Sequence, residues 1–380
     1  MNIKLKKSDI LKVSSKFGIC GLPIRCDTYS KCSFGCTYCF SQNRVLEKPI
    51  EFKVGNINKL KNTLERIFDK GEIRENNFLD KLIAERITWH CGGLCDPFIP
   101  CESKYHITRD MIDICNKYDI SILFSTKSDN LYGADIRPDL HSFQLSVSNV
   151  HNNREWEPNV PSIESRYKLF RDLKDRGFKV GIRIQPFIPG VTTTEIIDLF
   201  KDADCFTFEM LKIVPQNLEL KKDILNRINM TKEDYKLKGL DNMLPELKLE
   251  FYKPFIEKLN QYNIPFNIAD NDLRWIGKSK CCCGDALVKK STDFNTTAML
   301  MKYGIGYNLQ NVYDELAGFG NDKCAGVFTS NRQKGVITVT DFMNRNIESK
   351  VNPTGKRFQH LTNDEFYRGY IDSASKPIQH

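Results

Sequence analysis

"KCSFGCTYCF", Lys31 to Phe40, sets three cysteines within eight residues, separated by three and then two others. Three chemistries use thiols placed this way: structural zinc, disulfide exchange and an iron–sulfur cluster. A structural zinc site takes four nitrogen or sulfur ligands, usually as two pairs across a longer spacer. No histidine follows this loop at such a spacing. A short cysteine run does wrap one face of a cubane cluster, one thiolate per iron. Three thiolates then leave a fourth iron open to an outside ligand, so the stretch reads as a loop for a [4Fe-4S] cluster.

The rest of the chain narrows the choice further. Its first residues, "MNIKLKKSDILKVSSKFGICG", carry basic side chains but no continuous apolar stretch, so no secretion signal is expected. The expected compartment is the reducing cytoplasm, where structural disulfides are rare and clustered cysteines bind metal or do chemistry. No run of about 18 apolar residues occurs, so no membrane span is expected. Hydrophobic residues at 41% and charged residues at 27% describe an ordinary folded protein, and 380 residues suffice for one large barrel or two domains. A formal charge of +8 tolerates an acidic partner such as nucleic acid without demanding one.

Short apolar runs alternate with longer amphipathic stretches, the pattern of repeated βα units on a parallel sheet. The runs are "LPIRC" (Leu22–Cys26), "RITWHCGG" (Arg86–Gly93), "ISILFSTKS" (Ile120–Ser128), "FQLSVS" (Phe143–Ser148), "KVGIRIQPF" (Lys179–Phe187) and "CFTFEMLKIV" (Cys205–Val214). Between the fourth and fifth, Ile163, Tyr167, Phe170 and Leu173 recur at helical spacing and Gly177 supplies a stop. Six such strands predict an α/β fold, a partial (β/α)6 barrel over residues 1–263. Residues 264–380 form a loop-rich, cysteine-containing C-terminal extension that opens with one further strand, "IPFNIAD" (Ile264–Asp270). Chemistry in such folds gathers at the C-terminal strand ends. Those ends carry the cysteine loop, then Gly92, Gly93 and Asp96, then Lys127, then Ser146 and Ser148.

The spacing of Cys32, Cys36 and Cys39, with Tyr38 before the last, resembles the signature of the radical S-adenosylmethionine (radical SAM) superfamily. That resemblance implies that the open iron chelates SAM and that one electron cleaves it to methionine and a 5′-deoxyadenosyl radical, which abstracts hydrogen from a substrate. It also implies a one-electron donor such as flavodoxin or ferredoxin. Gly92 and Gly93 would contact the SAM amino group. Lys127, Ser146 and Ser148 would lie near its carboxylate or ribose, and Arg183 would reach the same ligand. Each also has a structural reading: Lys127 as a solvated strand end, Ser148 as a turn residue, Arg183 as the partner of a carboxylate.

"DPFIPCE", Asp96 to Glu102, resembles the pattern of spore photoproduct lyase and its DNA-repair-photolyase-like relatives, which implies a nucleic acid or nucleotide substrate. Asp96 and Glu102 serve equally well to tie down their loop or cap the following helix. Cys95 is the candidate hydrogen-donating thiol, against the plainer reading of a small buried residue. The alternatives are a radical SAM enzyme acting on a peptide or small metabolite with an auxiliary cluster, and a non-catalytic metal-binding protein. His90, His106, His141 and His151 fall singly, and no serine-nucleophile motif accompanies them, so a hydrolase is not expected.

"KCCCGD", Lys280 to Asp285, remains. In an extended segment, adjacent thiols cannot all face one metal, so Cys281 and Cys283 with Cys324 make the expected set, completed by Cys20, Cys26, Cys91 or Cys101. A second iron–sulfur cluster, a zinc ion and plain burial all fit these residue types. Just upstream, "ADNDLRWIG" (Ala269–Gly277) is dense in functional side chains, and "NPTGKRFQH" (Asn352–His360) reads as a solvated loop.

Overall fold

The computed structural model describes residues 5–322, apart from 15–16, 19, 44–48, 152–153, 214–216, 236–240, 271–272, 278, 304–308 and 317, together with residues 338–340. Its centre is an eight-stranded sheet of β1 (Leu11–Val13), β2 (Ile24–Cys26), β3 (Trp89–Cys91), β4 (Ile122–Thr126), β5 (Ser142–Ser146), β6 (Lys179–Phe187), β7 (Phe206–Met210) and β8 (Phe266–Ile268). The order in the sheet follows the order in the chain. β1 pairs antiparallel with β2, and every later pairing is parallel. Such an order arises when each crossover advances in the same direction with the same hand, which puts the helices on one face.

All six predicted runs are strands of this sheet. The seventh run also joins it: Phe266 to Ile268 pair with Phe206 to Phe208. Seven parallel strands therefore stand where six were expected, and the sheet continues past residue 263.

Alternation along the strands separates two chemistries. One face carries Ile24, Trp89, Ile122, Phe124, Phe143, Leu145, Val180, Ile182, Phe206, Phe208 and Ile268, all in the main apolar core. The helices complete that core with α1 (Ile57–Leu64), α2 (Phe78–Ala84), α3 (Ile107–Lys117), α4 (Ile163–Asp175), α5 (Glu195–Leu199), α6 (Leu218–Arg227) and α7 (Pro245–Gln261). At about 25 cal/mol per Å² of apolar surface removed from water, this face is the main source of the fold's stability.

The other face is polar near the strand ends: Arg25, His90, Ser125, Gln144, Arg183, Thr207 and Glu209 share it by register. Arg25 pairs with Asp27 at 2.8 Å, and the others bond to one another. Ser125 Oγ lies 2.8 Å from His90 Nε2 and donates to Gln144 Oε1 at 3.2 Å, where Arg183 Nη1 also donates at 3.2 Å. Arg183 Nη2 pairs with Glu209 at 3.3 Å, and Lys212 pairs with the same carboxylate.

α4 forms as its sequence predicts. Ser162 Oγ accepts from the Ser165 N–H at 3.2 Å, and Gly177, at φ +82°, lets the chain turn away. Its buried stripe holds Ile163, Phe170 and Leu173, but also Arg166.

Candidate functional site

The cysteine loop lies along residues 154–160. Thr37 N–H donates to Trp156 O at 3.0 Å, Asn159 N–H to Phe34 O at 3.2 Å, and Asn159 Nδ2 to Ser33 O at 3.2 Å. Gly35 turns the loop at φ +65°. Within it, Cys39 N–H donates to Cys36 O at 3.1 Å and Asn43 Nδ2 to Thr37 O at 2.6 Å. Cys32, Cys36 and Cys39 are free thiols of intermediate exposure. Phe34 on the underside of the loop packs with Tyr29, Val54, Ile99 and Val160.

Lys127, at the end of β4, faces this loop. Burial pushes the Cys36 thiol up to about 12 and raises Cys39 as well, while the Lys127 ammonium opposes both shifts. Lys127 Nζ pairs with Glu157 at 3.1 Å and stands 5.8 Å from the Tyr38 ring centroid. Tyr38 donates its phenol proton to Glu157, and Arg166 Nη2 approaches that carboxylate at 3.6 Å. Burial works to raise the Glu157 carboxyl, but Lys127 and Arg166 outweigh it and hold the group below its ordinary value. Lys127 is thus a partly buried cation with a carboxylate partner, not a solvated strand end.

Gly92 has φ +102°, and a Cβ there would collide with the Ser125 carbonyl oxygen. The close approach it permits is to its own chain at the end of β4. At Gly93 a Cβ would fit, meeting Arg25 Cδ at an ordinary contact distance of 3.6 Å. Asp96 accepts from Phe98 N at 2.9 Å, Thr126 Oγ1 at 2.8 Å and Lys127 N at 2.6 Å, so it ties its loop to β4. Glu102 accepts from Thr108 N at 3.0 Å and Arg109 N at 2.9 Å, which caps the first turn of α3, and also from Tyr29. The acidic residues of the "DPFIPCE" stretch therefore have structural duties.

Ser146 and Ser148 are buried, their carbonyls accepting from Arg166 Nη1 and Thr192 Oγ1, each at 2.8 Å. Arg183 has its carboxylate partner in Glu209. Cys95 is buried against Cys32: its thiol bond lowers Cys32, and the same bond, with burial, raises Cys95 well above the ordinary thiol value.

The second cysteine group lies at the opposite end of the polar face. The sulfurs of Cys20, Cys281, Cys282 and Cys283 all lie within 4.8 Å of one another and are buried. Cys281 and Cys283 come together as expected, completed by Cys20 from among the candidate thiols and joined by Cys282, which was not expected; Cys324 falls outside the described residues. Segment 281–284 is a turn rather than extended chain, with Gly284 N–H donating to Cys281 O at 2.9 Å. Gly284, at φ +93°, packs so tightly that a Cβ would meet Cys205 Sγ at 2.6 Å. Asp285 accepts from Lys280 N at 3.0 Å and Cys281 N at 3.3 Å. Asn271, Asp272 and the "NPTGKRFQH" stretch also fall outside the described residues. Asp270 is structural: it accepts from Tyr252 Oη at 2.6 Å and Met210 N at 2.9 Å, and pairs with buried Lys248 at 3.2 Å.

Sequence reasoning missed Glu157, Arg166 and Cys282. Arg166 was visible as a charge on the apolar stripe of a helix, which asks for a buried counter-ion. Glu157 had no periodic context to expose it.

No family model matches the chain. A radical SAM Nalpha-GlyT isomerase of Pseudomonas phage M6 is 25% identical over 111 residues, 28% of this chain and 23% of that protein, so the match spans about a quarter of the relative's length. An uncharacterized protein of Methanocaldococcus jannaschii is 26% identical over 203 residues, 50% of this chain and 72% of that protein. Among solved structures, a cysteine-to-serine mutant of spore photoproduct lyase aligns with TM-score 0.49 at 15% identity, covering 65% of this chain and 76% of that one. Streptococcus suis SuiB bound to S-adenosylmethionine aligns with TM-score 0.41 at 14% identity, covering 67% and 52%. Over the 111 residues matched by the phage isomerase, the chain is similar in sequence to a radical SAM enzyme. No helix among the described residues is long and apolar enough to cross a membrane.

Proposed function

We propose that this chain is a radical SAM enzyme built on a partial β/α barrel, with Cys32, Cys36 and Cys39 as the ligands of its [4Fe-4S] cluster. One observation carries the reading: three thiols share one half-exposed loop beside the end of a parallel strand, with a cation facing them. The donor set fits the cluster. The three thiols do not gather as tightly as the buried quartet does, as suits ligands to three separate irons. When bound, such a cluster supplies the electron that cleaves SAM to methionine and a 5′-deoxyadenosyl radical, which takes hydrogen from the substrate.

The chain's own residues hold and orient. Residues 154–160 fix the loop, and Asp96 fixes the adjoining strand end. Lys127 brings positive charge to the thiolates and to a carboxylate ligand beside them, with Glu157 and Tyr38 setting its position. Gly93, beside the flexible Arg25 side chain, offers backbone to a ligand amino group. Cys95 donates to the Asp96 carbonyl at 3.5 Å, and its closeness to Cys32 together with burial favours the protonated thiol.

A nucleotide or nucleic acid is the substrate class best supported, by the "DPFIPCE" stretch and the +8 charge. The test is anaerobic: reconstitute with iron and sulfide, add dithionite and SAM, and measure 5′-deoxyadenosine with an oligonucleotide or a peptide present. An intact cluster yielding no 5′-deoxyadenosine removes the enzymatic reading and leaves a metal-binding protein. Stimulation by peptide but not oligonucleotide removes the substrate class alone.

A further inference from the structure

We propose that Cys20, Cys281, Cys282 and Cys283 bind a single tetrahedral zinc ion, a closed structural site separate from the cysteine loop. The geometry decides between one ion and a second cluster. A Zn–S bond of about 2.3 Å places the sulfurs of a tetrahedral tetrathiolate about 3.8 Å apart. Cys20 Sγ and Cys282 Sγ are 3.7 Å apart, and the whole quartet fits within 4.8 Å. In a cubane each thiolate sits on its own corner iron, which spreads the sulfurs more widely than a shared ion does.

The surroundings are those of a closed site. The four thiols are buried among Leu22, Leu123, Cys205, Ala269 and Leu287. Backbone supports the sulfurs: Cys283 N–H points at Cys281 Sγ at 3.5 Å, and Gln144 and Thr207 hold the Cys283 and Cys282 carbonyls at 3.0 and 3.3 Å. A divalent ion on four thiolates carries two net negative charges. Two buried guanidiniums, Arg183 and Arg274, lie within electrostatic reach of Cys282 and Cys20. Gly21 lets the Cys20 segment approach: a Cβ there would meet Ser291 Cβ at 2.9 Å and Cys281 Cβ at 3.5 Å. Outer groups of this kind orient ligands and tune the bound ion.

Elemental analysis and X-ray absorption on the C32A/C36A/C39A variant test the site without the loop's iron. The expected result is about one zinc per chain with a single sulfur shell near 2.3 Å. About four irons with matching labile sulfide would overturn the proposal in favour of a second cluster. A metal-free but folded variant would overturn it in favour of plain burial. In C282S, zinc content should fall at least tenfold. Because that variant loses a buried ligand and risks unfolding, the loop variant, with its quartet intact, is the deciding sample. Failure of the radical SAM reading would show as missing 5′-deoxyadenosine in wild type and would leave this zinc count untouched.

Discussion

The two cysteine groups use one side chain for opposite ends. Cys32, Cys36 and Cys39 are half-exposed, separated by other residues and watched by a lysine that has its own acid. Cys20, Cys281, Cys282 and Cys283 are buried, mostly adjacent and packed to contact distance. Three donors on an open loop leave room for something to bind and leave. Four buried donors, three in one turn and one from a distant segment, leave none. Exposure and ligand count, more than residue type, separate a site that reacts from a site that holds.

The largest effect should come from the open group. Cys36→Ala is expected to lower 5′-deoxyadenosine formation by at least a hundredfold while keeping the quartet's zinc; joint loss of both metals would show that the two sites are one. Next comes Glu157→Gln, which strips the counter-ion from Lys127 and Arg166. Removing one partner of a buried ion pair costs about 3–5 kcal/mol. Iron uptake by the loop should drop with no change in zinc, and a variant as stable as wild type in urea would refute the buried-pair reading.

Acid sensitivity separates the scaffold from both metals. His141 accepts from Ile122 N–H at 3.1 Å, and burial, aided by Arg137, pushes its imidazole down to about 4. The unfolded chain binds that proton near pH 6.5, so His141 lowers stability by roughly 3 kcal/mol as pH drops from about 6.5 toward 4, with buried His90, likewise pushed down to about 4, adding to the slope. His141→Asn should flatten this slope in urea melts, whatever its stability at pH 7. An unchanged slope would assign the acid sensitivity elsewhere. Smallest of all, Glu102→Gln weakens the cap on α3 and should cost about 1 kcal/mol without changing either metal content. Loss of SAM cleavage with full stability would instead give Glu102 a place at the ligand.

The sheet was legible because each strand is a short apolar run between turn residues, and seven such runs became its parallel strands. The cysteine loop was legible for the same local reason: its three thiols sit in one short stretch. What escaped were features made by distant segments. Cys20 stood among four thiols that could complete the second set, and nothing near it singles it out; the three-cysteine run misled because it was read as extended when Gly284 closes it into a turn. Gly92 is a different case. Its freedom is needed to clear the Ser125 carbonyl, a packing demand that the glycine pair alone does not announce.

Cys20 and Cys282 stand 262 residues apart in sequence, one before the first parallel strand and the other after the last. A metal joining them would act as a clasp on the two ends of the sheet. On a growing chain that clasp cannot shut until every parallel strand has left the ribosome, and in a refolding chain it would be among the last contacts made. Zinc uptake would then be a stopwatch for completed folding, with a truncated or misregistered sheet betraying itself by remaining metal-free.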